Sequence, residues 1–233
     1  MAKVTFHYDY KKDAWSWVLI AKDKKNLWGL NWKQQVAFIP ENLLKQILRS
    51  NKKVAESLVQ NYLKTHPKKN IRRIIIKEQL TCVEKVWRKI EKIFFKRLEK
   101  ITQKPIFTEK IKCYLTTGFM CPYDEKNNFF MISLWHNIPS NITTICHEIL
   151  HLQFLYHYEK YCQKILSKEK LEDLKEALTF ILNSDFSDLL LCRDDGYPAH
   201  QNLRKKLEKI WLKDKKFYNF LDKAIQVVKE KNY

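Results

Sequence analysis

The chain contains no apolar run long enough to cross a membrane. None of its uninterrupted apolar stretches approaches the roughly 18 residues that a transmembrane helix needs. Its first residues, Met1 to His7, lack the apolar core of a signal peptide. With 45% hydrophobic and 13% aromatic residues, the chain still has enough apolar side chains for a buried core. We therefore expect a globular, cytoplasmic protein with no membrane partner.

Glycine is also scarce, and closely spaced pairs of cysteines are absent from the sequence. The chain has three glycines and six cysteines, and no two of the cysteines form a CxxC pair. Paired spacing is typical of zinc ribbons, and repeated spacing is typical of disulfide-stapled scaffolds. The sequence therefore argues against both classes of protein.

Acidic residues are fewer than basic ones: the chain has 26 Asp and Glu and 44 Lys and Arg, which gives a net charge of +18. Residues 64–104 hold fourteen Lys or Arg and four Glu, so this segment carries ten of the surplus charges. Clustered cations neutralise phosphates, and a nucleic-acid-associated protein, including a protease recruited to DNA, is therefore one hypothesis. Lys outnumbers Arg and no Gly-rich or aromatic-interleaved arm accompanies the charge, which favours a solvated helix face.

The N-terminal part of the chain has strand-like and then helix-like patterns. Apolar and polar residues alternate over 4–10, which predicts a strand, and residues 15–21 could pair with it. Apolar residues at intervals of three and four predict helices over 40–64 and 71–101. We assign 1–104 to an N-terminal region of strands and basic helices.

The rest of the chain, 105–233, predicts a helical core with a small sheet. Residues 111–117 and 128–134 are rich in β-branched and aromatic side chains, which predicts two antiparallel strands joined by a long loop. Helices are predicted to begin at Pro139 and to cover 167–182. The fold class expected from the whole pattern is α+β and mainly helical.

The string His147-Glu148-Ile149-Leu150-His151 is the strongest functional motif in the chain. Histidines four residues apart on an α-helix project from nearly the same face, as two ligands of one metal must. Glu148 lies about 100° around the helix, where it can reach a metal-activated water without being a ligand. The motif predicts a catalytic zinc site, which usually takes three protein ligands.

One candidate for the third ligand is His157, because its spacing matches the HExxHxxxxxH pattern of the metzincins. That pattern needs a glycine where this chain has Phe154, and all three methionines precede the motif, so no Met-turn can follow it. If the helix continues, His157 points about 80° to 120° away from the other two ligands.

The stronger candidate is Glu176, on the helix predicted after Ser167, and Glu172 one turn earlier is the alternative. Here the chain resembles the gluzincin branch of the zincin metallopeptidases, in which a Glu on a following helix completes the zinc site. The resemblance covers about residues 110–200 and is specific for a clan, not for a family. It rests on His147, Glu148, His151 and Glu176-Ala177.

The resemblance implies zinc-dependent hydrolysis of a peptide or protein substrate, with Glu148 as the general base. Gluzincins commonly use a downstream His or Tyr to stabilise the oxyanion, and we propose His200 first and Tyr197 second for this role. A polar loop that caps the last helix is the alternative reading of both residues.

Each zinc-bound imidazole also needs an acceptor for its second N–H, and the sequence does not choose among Asn183, Asp185 and Asp188. We therefore expect a zincin-like zinc metallopeptidase core. The alternatives are the nucleic-acid-associated protein described above and a zincin-fold module that binds metal without catalysing a reaction.

Overall fold

The fold is known from a computed structural model that describes residues 2–23 and 28–230. Helices dominate these residues and four strands form one small sheet, which confirms the mainly helical α+β class. None of the described helices is long and apolar enough to span a bilayer. The strands are β1 (Lys3–His7), β2 (Lys110–Thr116), β3 (Tyr123–Asp124) and β4 (Phe129–Ser133). The α-helices are α1 (Tyr10–Lys22), α2 (Trp32–Val36), α3 (Glu41–Arg49), α4 (Lys52–Thr65), α5 (Lys69–Thr102), α6 (Ile138–Cys162), α7 (Lys168–Leu178), α8 (Ile181–Asp185), α9 (Gln201–Lys213) and α10 (Phe217–Lys229).

The sheet is mixed, with the strand order β1-β2-β4-β3. β1 is parallel to β2, β2 is parallel to β4, and only β3 is antiparallel to its neighbour β4. The prediction that residues 111–117 and 128–134 pair in antiparallel fashion is therefore wrong. These two strands run side by side in the same direction, with Lys112 opposite Phe129 and Thr116 opposite Ser133.

The chain between β2 and β4 explains this difference. Parallel neighbours need a crossover of about a dozen residues, which the loop between β2 and β4 supplies. Part of that loop forms β3 on the outer side of β4, and the chain then reverses at Asp124, which accepts a hydrogen bond from the backbone N of Asn127 at 3.1 Å. Asn128 completes the turn with φ of 51°, a left-handed conformation that Asn tolerates. The turn residues therefore form a hairpin, but its first strand is β3.

The N-terminal predictions also need correction. Residues 15–21 do not pair with β1 but lie in α1, because Asp9 caps this helix by accepting hydrogen bonds from the backbone N of Lys11 and Lys12. The single helix predicted over 40–64 is two helices. α3 ends at Arg49, and Asn51 then caps the first turn of α4 by accepting a hydrogen bond from the backbone N of Val54. The predicted helix at 71–101 is confirmed as α5, and the one beginning at 139 is confirmed as α6. The single helix predicted over 167–182 is two helices, since α7 ends at Leu178 and α8 begins at Ile181.

Two hydrophobic clusters stabilise the fold. The larger cluster lies among the sheet, α5, α6 and the C-terminal helices, and includes the fully buried Trp87 and Trp211. The smaller one is formed by α1, α3 and α4 around Trp17 and Ile47. Helix α6 packs against α5, β4 and α7, so the HExxH motif lies between the sheet and the C-terminal helices.

Candidate metal centre

The two motif histidines project from one face of α6. Asn137 caps this helix by accepting a hydrogen bond from the backbone N of Ser140, and Pro139 lies in its first turn. The ring centroids of His147 and His151 are 4.2 Å apart. The side chain of His151 is 2% exposed and that of His147 is 14% exposed, so both rings are largely removed from water.

Helix α7 brings Glu176 to the two imidazoles. Its Oε2 atom lies 3.2 Å from Nε2 of His151 and 3.6 Å from Nε2 of His147. One ligand atom from each of the three residues lies within 4.8 Å of the others, and such a group could hold a metal ion. Two imidazole nitrogens and one carboxylate are the donor set of a catalytic zinc site.

The two alternative ligands lie elsewhere. His157 remains on the continuing helix, where its Nε2 donates a hydrogen bond to the backbone oxygen of Pro105 at 2.8 Å. Glu172 lies one turn before Glu176 and accepts a hydrogen bond from Lys175 Nζ at 2.6 Å. Neither side chain joins the group formed by the two histidines and Glu176.

The unmetallated histidines differ in protonation. Burial lowers the pKa of both imidazoles, but Asp194 and Glu176 outweigh burial at His147 and raise its pKa well above the ordinary value. The pKa of His151 falls to about 4, mainly because of burial, so this ring is neutral at pH 7. A cation that binds between these groups would therefore displace a proton from the His147 side of the cluster.

Lys175 holds the second oxygen of Glu176. Its Nζ atom lies 3.1 Å from Glu176 Oε1 and donates to Tyr123 Oη at 2.7 Å, while its side chain is 2% exposed. Burial lowers the pKa of Lys175, but Glu176, Tyr123 and Glu172 outweigh burial and raise it well above the ordinary value. The buried ammonium group stays charged and leaves Glu176 Oε2 directed at the histidines.

The acceptor behind His147 is Asp194, which the sequence did not indicate for this role. His147 Nδ1 donates to Asp194 Oδ2 at 3.2 Å, which leaves Nε2 to face the metal position. Asn183, one of the predicted acceptors, supports Asp194 indirectly through two 2.8 Å hydrogen bonds with its backbone. The other two predicted acceptors are occupied elsewhere, since Asp185 pairs with Lys215 and Asp188 pairs with Arg97.

Arg204 connects the loop that contains Asp194 to Thr179, the C-cap residue of α7. Its side chain is buried, and its guanidinium donates to the backbone oxygen of Asp194 at 2.5 Å and to the side chain of Thr179. Gly196 packs directly on the guanidinium, since a Cβ atom there would lie 2.6 Å from Arg204 Nη1, and its φ is 61°. A glycine is therefore required at this position.

Glu148 is positioned for proton transfer. Its side chain is 7% exposed, and its Oε2 atom has no hydrogen-bond partner in the part of the chain that the structure describes. Burial, partly offset by His147, raises the pKa of Glu148 to about 8. A carboxylate with a pKa near neutrality can both accept and release a proton, as general acid–base catalysis requires.

The structure separates the two candidates for oxyanion stabilisation. Tyr197 lines the cavity that contains the motif, and burial raises the pKa of its phenol well above the ordinary value, so it remains a hydrogen-bond donor. His200 lies behind it, with ring centroids 6.1 Å apart, and its Nε2 pairs with Asp173 Oδ1 at 2.9 Å. Of the two, Tyr197 is the side chain that faces the cavity.

Two cavities meet at the motif. One, of about 210 Å³, which we call the central cavity, is lined by His147, His151 and Glu176 together with an apolar wall that includes Leu19, Ile20 and Trp28. The other, of about 470 Å³, is also lined by Glu148 and is more polar, so we call it the polar cavity. Both cavities share Met120 and Cys121 of the segment after β2, His147 and Glu148 of the motif helix, and Tyr197 of the loop before α9.

The basic segment 64–104 mostly forms α5, outside these cavities. Its exposed positions include ten Lys or Arg and two Glu. Exposed apolar side chains, among them Ile71, Ile75 and Ile93, interrupt this basic surface. The exposed surface of this segment is therefore a mixture of cationic and apolar side chains.

Comparisons with known proteins add no relative. No known protein family matches the chain, and neither a curated protein nor a solved structure is similar to it. The geometry of the candidate metal centre is therefore what supports a function.

Proposed function

We propose that the protein is a zinc-dependent metallopeptidase with a zincin-like core and that His147, His151 and Glu176 hold the zinc ion. The observation that carries this proposal is the convergence of these three side chains beside the unpartnered carboxylate oxygen of Glu148. Two imidazoles with one carboxylate favour zinc over magnesium or calcium, which prefer oxygen ligands. A peptide or protein is the expected substrate.

The chain's own groups divide the work of hydrolysis. A zinc ion held by His147, His151 and Glu176 would supply Lewis acidity to a water molecule and to the substrate carbonyl. Glu148 accepts a proton as the water oxygen bonds to the carbonyl carbon, and it delivers that proton to the leaving amine as the C–N bond breaks. Tyr197 donates its phenolic proton in a hydrogen bond to the developing oxyanion. Asp194 and Lys175 orient His147 and Glu176.

Metal content tests the ligands. We expect the purified protein to bind about one zinc per chain, as expected for a single three-ligand site, and to lose most of it on His147→Ala, His151→Ala or Glu176→Ala. His157→Ala is the matched control, because His157 lies on the same helix but bonds to Pro105, and it should retain zinc. Full zinc retention in both the His147→Ala and the His151→Ala variants would show that these histidines do not bind the zinc ion.

Turnover tests the general base. Glu148→Gln should keep its zinc and lose about 10² to 10⁴ in the rate of hydrolysis of any peptide that the wild-type protein cleaves. A broad peptide library, analysed by mass spectrometry, supplies the substrates. Unchanged turnover would remove Glu148 from the mechanism, and zinc binding without any cleavage would favour a non-catalytic metal-binding module.

The nucleic-acid alternative rests on the exposed cations of α5. It predicts binding to DNA or RNA at low salt that weakens steeply as salt rises. If no binding is measurable at low salt, this alternative is excluded.

A further inference from the structure

A third cavity extends the two that meet at the motif. It has a volume of about 670 Å³ and shares Tyr123 and Glu172 with the central cavity. The three cavities follow one another along the edge segment, which we define as residues 119–126. Residues 119–121 border the polar cavity, residues 120–123 border the central one, and residues 123–126 border the third. This order makes one trough beside the outermost strand of the sheet.

The catalytic carboxylate faces the trough rather than a protein partner. Glu148 lines two of the three cavities, and its buried Oε2 atom lacks a hydrogen-bond partner among the described residues. An extended peptide in the trough would pass Glu148 and continue beyond Tyr123 into the third cavity. Its side chains there would meet surfaces that contain none of the metal ligands.

The third cavity has an apolar floor and an acidic rim. The floor includes Trp15, Leu155 and Leu171. The rim carries four carboxylates and two lysines, although the net charge of the whole chain is +18. The charged residue types that line it are Asp124, Glu125, Glu159, Glu172, Lys126 and Lys168, and Glu172 is also paired with Lys175 at 2.6 Å.

The rim carboxylates act on one another. Burial together with Glu159 and Glu172 raises the pKa of Glu125, even though Lys126 and Lys175 act in the opposite direction. The carboxylates therefore outweigh the lysines in the potential at this position. An added cation would relieve that repulsion.

We propose that the third cavity binds an arginine or lysine side chain of the substrate, on one side of the scissile bond. This inference rests on the proposed peptidase function, and it names the substrate class of that site: peptides with a cationic residue displaced from the bond that is cut. The long aliphatic stem of such a residue fits the apolar floor, while its charged end reaches the rim. Trp15 adds a face on which a guanidinium can stack.

Binding tests the proposal without turnover. The zinc-loaded Glu148→Gln protein is titrated with fluorescein-labelled peptides of one neutral sequence, in which a single arginine is moved through every position and glutamine replaces it in the reference peptide. We expect a maximum of affinity at one arginine position. In the same protein, Glu125→Gln with Glu159→Gln should lower the preference for that peptide about fivefold or more. Glu109→Gln, an exposed carboxylate that lines none of the three cavities, is the control and should leave the preference unchanged.

Cleavage by the wild-type protein locates the bond. The same peptides should be cut at a fixed distance from the arginine, which mass spectrometry of the products measures. Cleavage with no dependence on arginine position would overturn the proposal and leave the peptidase function standing. Register-dependent binding that needs Glu125 and Glu159, without cleavage of any peptide, would support the cation site and overturn the peptidase function. Equal binding of the arginine and glutamine peptides at every position would overturn the proposal.

Discussion

Two buried aspartates support opposite walls of the candidate site. Asp13 lies in α1, whose Leu19 and Ile20 form part of the apolar wall of the central cavity. Asp194 lies in the loop before α9 and supports the wall that carries the metal ligands. The side chain of Asp13 is fully buried and that of Asp194 is nearly so. The two buried aspartates have different hydrogen-bond partners and can therefore be compared directly.

Among the residues that the structure describes, the hydrogen-bond donors to Asp13 are all neutral. Tyr8 Oη, Thr116 Oγ1 and both the backbone N and Oγ1 of Thr117 donate to its carboxylate at 2.8 to 2.9 Å. Burial raises its pKa, and these hydrogen bonds offset that effect only in part. Because Thr116 ends β2 and Thr117 follows it, Asp13 fixes α1 against the end of that strand, just before the edge segment.

Asp194 is paired with cationic side chains. Burial alone would raise its pKa, but His147 and Arg204 outweigh burial and hold the pKa well below the ordinary value. Compensation of a buried charge by other charges marks functional sites more often than structural ones. The contrast with Asp13 identifies Asp194 as part of the candidate metal centre and Asp13 as a structural anchor.

The largest expected effect is on stability. Asp13→Ala removes the acceptor of four hydrogen bonds and leaves buried donors unpaired, so we expect it to lower the free energy of unfolding by about 3 to 5 kcal/mol. Urea denaturation followed by circular dichroism measures this loss. The control is Asp9→Ala, which removes an exposed helix cap and should cost about 1 kcal/mol. A cost no greater for Asp13→Ala than for Asp9→Ala would refute the anchoring role.

Asp194→Asn should lower the affinity for zinc and should not act mainly on stability. The amide keeps the shape of the side chain but loses the charge that orients and polarises His147, so we expect zinc affinity to fall about 10-fold to 100-fold. Competition with a chromogenic chelator measures this change. Asp195→Asn, at the exposed neighbouring position, is the matched control. Equal zinc affinity in both variants would remove Asp194 from the support of the metal centre.

The grouping of the three candidate ligands could be predicted from sequence because helix geometry is local. Residues four apart on α6 must share a face, and the apolar stripe of α7 placed Glu176 on a second helix that packs beside it. Asp194 could not be found this way, since it lies 47 residues from His147 in a loop. Lys175 could not be found either, because a lysine beside a ligand is ordinarily a solvated side chain.

The sheet shows the same limit. An alternating pattern indicates which residues of a strand share a face, but it carries no information on whether the neighbouring strand runs parallel or antiparallel. Residues 111–117 and 128–134 were therefore recognised as strands while their relative direction was not. In the N-terminal region the cap at Asp9 decided the structure, because a capped first turn outweighed the β propensity of the aromatic residues after it.

A smaller effect appears in the pH dependence of stability. A carboxyl group whose pKa is raised in the folded state holds a proton that the unfolded chain has released, so its contribution to stability falls as pH rises from the unfolded pKa of about 4 towards the raised value. Asp13→Asn removes this titration. We therefore expect the destabilisation caused by Asp13→Asn to shrink steadily as pH rises from 4 to 7 in urea denaturation. A destabilisation that grows with pH would contradict the raised pKa.

The smallest expected effect on the metal comes from the apolar wall. Trp28 lines the central cavity and packs against Tyr197 and His200, with ring centroids 4.8 and 5.8 Å away, rather than against the metal ligands. Trp28→Ala should therefore leave zinc affinity unchanged within about twofold, as expected for groups without a shared contact. Peptide affinity, measured in the Glu148→Gln background, should fall about tenfold because apolar surface is lost from the cavity. If zinc affinity falls as far as in Asp194→Asn, the two walls are energetically coupled and the distinction between them fails.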